Sequence, residues 1–313
     1  CRALCAQGHA VSAFHRPTSN LKLLEDLPVS HVLGDLTQPA SLESAVEGMD
    51  AVFHAGAQLG SAPAARMYAV TVEGTRALLQ AALEAGVKRF VHTSSAAALG
   101  IPAPAVAGRR ILMDENHAWN YRPDYWPYGY AKYLAELEVQ KAVARGLDAV
   151  ILNPSVVLGA GDLYRQSSSI VVQTARRRIP VLIEGGVNVV HIEDVTTGHL
   201  AAWERGRAGE RYLLTGENLS VPDFIRKIAA IAGVPAPAAF FPAGLARGLA
   251  GWIKLAQPFL NLAVTPDQLR QAGQYFYFDN RRSREILGME EPRPADEAIR
   301  AAYDWFKAVG AIP

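Results

Sequence analysis

The chain is poor in several things, and each shortage removes a class of function. It has only two cysteines in 313 residues, Cys1 and Cys5. They fall within one turn of a predicted helix, a poor geometry for a disulfide, and no third cysteine is available to either. A reducing, cytoplasmic setting is expected. No apolar run is long enough to span a bilayer. The nearest approach, 240–264, is broken by Pro242, Arg247, Lys254 and Pro258. It reads as the helical wall of a pocket, and no stable membrane association is expected. The first residues read as a helix fragment, without the basic stretch and apolar run of a signal peptide. A formal net charge of +1 gives no push toward nucleic acid. No Gly-x-Ser-x-Gly elbow is present, which removes the α/β-hydrolase reading. His191, Glu193 and Asp194 are too thin a cluster for a metal site, and none is expected. Asp194 reads instead as a residue entering a helix. Arg176-Arg177-Arg178 reads as a solvated helix end before Pro180, with an anionic substrate group as the alternative.

What the chain does have is apolar bulk: half of its residues are hydrophobic, enough for a sizeable core. Short apolar strands are predicted at 11–14, 31–33, 51–54, 89–92 and 148–152, alternating with helices at 41–48, 68–85 and 128–145. That alternation predicts parallel βαβ units and an α/β fold with a Rossmann-like, doubly wound sheet. The chemistry of such a sheet gathers at the carboxyl ends of its strands. Asp35, Ala55-Gly56-Ala57, Ser94-Ser95 and Asn153-Pro154-Ser155 all fall there. After about residue 159 the rhythm loosens into helices at 170–178, 195–204, 221–232 and 295–309, with a strand at 211–214. The expected organisation is a cofactor domain over 1–158 and a smaller substrate lobe over 159–313, parts of which return to the first domain.

The stretch Tyr128-Gly129-Tyr130-Ala131-Lys132 carries the chemistry. A tyrosine and a lysine four residues apart share one face of a helix. A free phenol has a pKa of about 10, and a fixed ammonium beside it favours the phenolate. The expectation is therefore a Tyr128 phenol drawn downward and able to exchange a proton with a carbonyl or hydroxyl oxygen. Tyr130 and Tyr133 have no lysine four residues on and read as packing. Tyr125 is a candidate pocket residue. Trp119, Trp126, Phe240, Phe241 and Trp252 suggest an apolar pocket, with ordinary core packing as the alternative.

Taken together, Gly34-Asp35-Leu36, Val52 to Ala57, Val72-Glu73-Gly74-Thr75, Ala85 to Phe90, Thr93 to Ala96, Tyr128 to Lys132, Asn153-Pro154-Ser155 and His191 to Val195 resemble the extended short-chain dehydrogenase/reductase superfamily. Within it the chain is most similar to the dihydroflavonol reductase, cinnamoyl-CoA reductase and hydroxysteroid dehydrogenase group. The resemblance implies a catalytic set of Ser95, Tyr128 and Lys132. Ser95 holds the substrate oxygen, Tyr128 moves the proton, and Lys132 tunes Tyr128 and binds the nicotinamide ribose. Ser94 is expected to satisfy backbone beside the cofactor.

The cofactor implied is NADP, with NAD possible. The second strand of the superfamily is followed by an acidic residue when NAD is selected. Here Arg16, with Thr18 or Ser19, is placed to hold a 2′-phosphate instead. Asp35 and Leu36 are expected along the adenine. Ala55, Gly56, Ala57, Thr93, Pro154, Ser155, Val156 and Val157 complete the implied cofactor surface. The implied substrate is a small carbonyl compound or alcohol, apolar or aromatic, and the implied assembly is a homodimer.

Two departures from the superfamily pattern stand out. Thr71 occupies the position where asparagine usually precedes Val-Glu-Gly-Thr. Aligning Arg2 to His9 with the first helix leaves about 15 to 20 residues of strand and glycine-rich turn unmatched, on the usual length of that unit. A sheet interrupted between 11–14 and 51–53 is the expected result. Two other functions remain open. A nucleotide-sugar epimerase or dehydratase is disfavoured because Ala96 to Leu99 has no tyrosine and no Asp-Glu pair follows Thr93. A non-catalytic cofactor sensor is disfavoured by the complete Ser95, Tyr128 and Lys132 set.

Overall fold

The computed structural model of the protein describes residues 1–59, 62–104, 109–164, 169–256 and 265–312. It begins with helix α1 (Arg2–Ala6) and strands β1 (Val11–His15) and β2 (Val29–Leu33), then α2 (Pro39–Val46) and β3 (Ala51–His54). Helix α3 (Ala64–Tyr68) passes through a π-turn over Ala69–Glu73 into α4 (Gly74–Glu84), and β4 (Arg89–Thr93) follows. After a 3-10 turn over Ala96–Leu99 come α5 (Pro127–Ala144), β5 (Ala149–Pro154), β6 (Val156–Leu158) and α6 (Ser169–Ala175). Next are β7 (Leu182–Ile183), β8 (Gly186–His191), α7 (Ile192–Arg205), β9 (Arg211–Leu214), β10 (Glu217–Ser220) and α8 (Val221–Ala232). The chain closes with β11 (Phe240–Phe241), α9 (Ala243–Ala256), α10 (Pro266–Arg270), α11 (Arg281–Leu287) and α12 (Ala295–Ala308).

The expected parallel sheet is present in two pieces. Strands β1 and β2 pair in parallel, and a second sheet runs in the order β3-β4-β5-β9. Among the described residues no hydrogen-bonded register joins β1 to β3. Burial follows the pairing. All six residues of β5 are buried, which suits its run Ala149-Val150-Ile151-Leu152 and its place between two partners. The equally apolar Ala51, Val52 and Phe53 of β3 are only half-buried, and Leu33 of β2 is 61% exposed.

The chain divides into two compact units. One holds Cys1–Ser94, Ala131–Leu152 and His199–Arg211, and the other Ser95–Tyr130, Asn153–Gly198 and Tyr212–Pro313. In the first, Leu42 and Val46 of α2 and Leu78, Leu79 and Ala82 of α4 pack with Phe90, Val139 and Ile151. Arg89 finishes this unit's rim: its guanidinium donates to the carbonyls of Trp203 at 2.9 Å, Ala202 at 3.2 Å and Gly206 at 2.5 Å. Trp203 and Ala202 lie in the last turn of α7, where the Ala202 carbonyl also accepts the Gly206 amide at 2.9 Å, and Gly206 follows the helix. In the second unit, β6, β8 and β10 form a three-stranded sheet whose cover includes Val171, Phe224, Ile228, Ile299 and Phe306.

Three predicted elements end elsewhere, for identifiable reasons. The helix expected over 170–178 stops at Ala175, because Arg177 takes φ +56° and the Arg178 amide returns to the Gln173 carbonyl at 2.9 Å. The helix expected from 195 starts at Ile192, with Glu193 and Asp194 in its first turn where the helix dipole favours them. The stretch 240–264, expected to be helical, opens with the short strand Phe240–Phe241 before the helix Ala243–Ala256. Helix α9 packs the small Ala246 and Ala250 inward and leaves Leu245 61%, Leu249 43% and Trp252 73% exposed. Phe240 is 56% exposed as well, and 257–264 lie outside the described residues.

A pair of histidines is built into the first unit. Register places His54 of β3 beside His92 of β4, with ring centroids 5.3 Å apart, and both are buried. The Nε2 of His54 is 2.9 Å from the Thr75 hydroxyl, which itself donates to the Thr71 carbonyl at 2.6 Å. Neither ring nitrogen of His92 has a hydrogen-bond partner among the described residues. Burial, assisted by the charge of Lys132, pushes His54 down to about 3, and burial pushes His92 well below its ordinary value. Both are therefore neutral in the fold and take up protons only on unfolding. Their contribution is intact above the ordinary histidine pKa and is lost as pH falls below it, by up to about 1.4 kcal/mol per pH unit for each ring. Denaturant unfolding between pH 7 and pH 5 is expected to show this loss, and His92→Phe to make the slope shallower by one histidine's share. An unchanged slope in His92→Phe overturns the assignment.

Candidate active site

The carboxyl end of β4 and one face of α5 meet residue by residue in the first unit. Lys132 is 3% exposed, and its Nζ donates to the Thr93 carbonyl at 2.8 Å. Ser94 is equally buried and donates to Oε1 of Glu136 at 2.5 Å, one helical turn beyond Lys132. The Ser94 hydroxyl thus serves a carboxylate, not the backbone expected from the sequence. The other oxygen of Glu136 accepts from Arg211 Nη2. The Thr93 hydroxyl lies 2.8 Å from His199 Nε2. Burial lowers Lys132 to about 8, partly opposed by the negative charge of Glu136.

In the second unit, Ser95 starts the Ala96–Leu99 turn, its hydroxyl accepting the Ala97 amide at 3.1 Å. Its carbonyl accepts from the Asn153 amide at 2.8 Å. The Ser95 hydroxyl lies near enough to the Tyr128 phenol, in the first turn of α5, to favour its charged form. Burial raises the Tyr128 phenol above its ordinary value, and the nearby Ser95 hydroxyl offsets part of that. This corrects the expectation of a phenol drawn downward. The Lys132 ammonium is committed to a carbonyl, and desolvation of the phenolate dominates.

Gly129 explains how this turn of α5 approaches so closely. A Cβ there would sit 2.8 Å from the Ala97 carbonyl oxygen and 2.8 Å from the Trp119 ring. Tyr130 packs against Trp119 with centroids 5.6 Å apart, in keeping with a packing role. Tyr125 lies under two guanidinium groups, Arg122 at 4.2 Å and Arg270 at 5.0 Å from its centroid.

The residues expected around the cofactor fall at strand ends in the first unit, apart from four in the second. Arg16 is exposed just after β1, and its guanidinium makes no hydrogen bond or ion pair among the described residues; its carbonyl accepts the Ser19 amide at 3.0 Å, so Thr18 and Ser19 turn back in the same loop. Asp35 stands after β2. One of its oxygens accepts the Thr37 amide at 2.8 Å and hydroxyl at 2.7 Å, and these bonds hold its carboxyl below the usual range, with Arg16 and Arg66 adding to the effect. Leu36 packs so closely that a Cβ on Gly56 or on Gly74 would come within 2.8 Å of it, which accounts for both glycines. Ala55, Gly56 and Ala57 follow β3 with only small side chains, leaving the backbone accessible. This combination of small residues, an acid and an unpaired guanidinium fits a dinucleotide. Thr71, the departure from asparagine, receives the Gln58 amide on its hydroxyl at 3.1 Å, so the shorter side chain still ties down the loop after β3.

Pro154 ends β5, and Val156 and Val157 lie half-buried on β6. The Ser155 hydroxyl donates to Asn188 at 2.6 Å. His191, Glu193 and Asp194 have other work. His191 Nδ1 accepts the Glu193 amide at 3.1 Å, and both acids pair with Arg293. Arg176, Arg177 and Arg178 are exposed beside Gly310. The sequence reading missed Glu136, Arg211 and His199. Only Glu136 carried a signal, its spacing of four from Lys132.

Comparison with known proteins supplies the family. The pattern of the NAD dependent epimerase/dehydratase family matches residues 1–215. A putative dihydroflavonol 4-reductase from Synechocystis is 32% identical over 321 residues, spanning 99% of this chain and 91% of the relative. Sterol demethylase protein B from Methylococcus capsulatus is 32% identical over 329 residues, spanning 99% and 95%. The crystal structure of a nucleoside-diphosphate-sugar epimerase from Pseudomonas aeruginosa superposes with a TM-score of 0.81 at 28% identity, covering 100% of this chain and 94% of that one. With its parallel sheets, its helices and these relatives, the chain belongs to the NAD-dependent epimerase/dehydratase family of extended short-chain dehydrogenases/reductases and is an NAD(P)-dependent oxidoreductase of Rossmann-type α/β fold.

Proposed function

We propose that the protein is an NADP-dependent reductase of an apolar ketone or aldehyde, or in the reverse direction a dehydrogenase of a secondary alcohol, with Ser95, Tyr128 and Lys132 as its catalytic set. The observation that carries this reading is the placement of the Ser95 hydroxyl beside the Tyr128 phenol, at the start of the helix that holds the buried Lys132. Two hydroxyls side by side can bind one substrate oxygen together. Tyr128 gives that oxygen its proton and Ser95 steadies it as charge develops. The nicotinamide, when bound, supplies or accepts the hydride. Burial keeps the phenol protonated at neutral pH, which favours proton donation and hence reduction; oxidation gains as pH rises.

Arg16 gives the preference for NADP, and Asp35 and Leu36 border the adenine. Lys132 turns on the same helix as Tyr128 and serves the ribose as well. An apolar substrate is supported by relatives named for flavonoid and sterol chemistry. The second reading, a nucleotide-sugar epimerase, rests on the Pseudomonas aeruginosa relative. It is weakened by the alanines at 96, 97 and 98, where many sugar epimerases carry a tyrosine. We also read the protein as a cytoplasmic homodimer. Helices α4 and α5 lie side by side, linked by Arg76 to Glu138 at 2.8 Å and Arg145 to Gln80 at 2.7 Å, and present a joint surface for a symmetry mate.

Three measurements test these points. Tyr128→Phe is expected to lower turnover by roughly 10²- to 10⁴-fold while leaving NADPH affinity by calorimetry near that of the parent, and Lys132→Met to damage both. Near-normal turnover in Tyr128→Phe removes the catalytic assignment. Arg16→Ala is expected to cut the preference for NADPH over NADH by about tenfold or more, since a charge-assisted contact contributes roughly 1.5 to 3 kcal/mol. Equal affinities in the parent sink the cofactor assignment. Light scattering at micromolar concentration is expected to give the mass of a dimer, and a monomer contradicts the assembly.

A further inference from the structure

Building on the Ser95, Tyr128 and Lys132 reading, we propose that Glu136 is a positioning residue of the active site, the counter-charge of the buried Lys132 and the anchor that fixes Ser94 to helix α5. Four observations lead to it. Glu136 is 2% exposed, so its carboxylate has no water to fall back on. It lies one turn beyond Lys132 on the same face of α5. Both its oxygens are engaged, one by the Ser94 hydroxyl at 2.5 Å and the other by the Arg211 guanidinium. The preceding residue of the strand, Thr93, gives its carbonyl to Lys132 at 2.8 Å.

The last residue of β4 and the residue after it are therefore clipped to consecutive turns of α5. The residue after this double clip is Ser95, and the turn before it in the helix carries Tyr128. Glu136 thus sets the register of Thr93 and Ser94 against the turn of α5 that carries Lys132, and it touches no substrate itself.

The charge environment of Lys132 explains why an acid is needed there. His54 from β3 and His92 from β4 face it as neutral rings and offer no negative charge. From α5 comes Glu136, and behind it Arg211 of β9 draws on the same carboxylate. Glu136 alone among these favours the ammonium, and Arg211 opposes it. An ammonium is what holds a ribose hydroxyl and steadies a developing phenolate, so loss of the carboxylate acts on both roles of Lys132.

The test is the ionisation of Lys132 itself, read by ¹³C NMR of full-chain protein labelled at the lysine ε-carbon. The chain has seven lysines, and the Lys132 signal is assigned by its absence in Lys132→Met. Glu136→Gln, which keeps shape and removes charge, is expected to lower the Lys132 midpoint by about one pH unit or more. Arg211→Gln is expected to raise it, and serves alone if Glu136→Gln does not fold. Opposite movements carry the proposal. A midpoint that stays put in a folded variant, or moves the same way in both, would falsify it. The readout needs no turnover, so failure of the catalytic reading, seen as an active Tyr128→Phe, remains a separate result.

Discussion

The constraint on which the site depends is the burial of an ammonium group. A lysine nitrogen taken out of water must have its hydrogens accepted and its charge answered, or it gives up its proton. Here the acceptor is a strand carbonyl, Thr93, and the answering charge is Glu136. Satisfying Lys132 therefore requires β4 and α5 to meet in one register only. The core beneath them, Phe90 and Ile151 against Leu78, Leu79 and Val139, sets their separation but is too uniform in chemistry to choose that register. Apolar packing fixes the distance, and the polar pairs fix the alignment.

Much of this was legible in the sequence. The strands Ala51–His54 and Arg211–Leu214 and the helix Val221–Ala232 lie where patterning predicts them, because each is an apolar run bounded by its own turn or cap. Tyr128 and Lys132 were legible because their spacing of four is local and survives any error of tertiary reasoning. The direction of the Tyr128 shift was not. It depends on desolvation and on where the Lys132 hydrogens go, and neither is a property of spacing. The stopping point of α6 was missed for a local reason: an arginine at position 177 takes the left-handed turn usually given to glycine. Arg211 and His199 were invisible because their partners lie 75 and 106 residues away along the chain.

Partial pairing of the sheet shows what burial pattern means in a parallel fold. Strand β5 is flanked on both sides and fully buried, so its sequence reads as continuous hydrophobic residues. Strand β3 carries an equally apolar sequence but is paired on one side only, to β4, and its first three residues remain half-exposed. Trp203 of α7 covers part of it, with its ring 5.0 Å from that of His9 and 5.8 Å from that of Phe53.

The contact at Gly129 acts as a mechanical stop. Where side chains meet, a change of rotamer absorbs small errors of position. Between the Gly129 α-carbon and the Ala97 carbonyl there is no rotamer to change, and a single added carbon would come within 2.8 Å of that oxygen. The reach of the neighbouring Tyr128 ring is therefore set by the radii of backbone atoms, with a tolerance of tenths of an ångström. Evolution can reshape the pocket around such a stop, and the variation that distinguishes one substrate from another has to come from the more pliable walls.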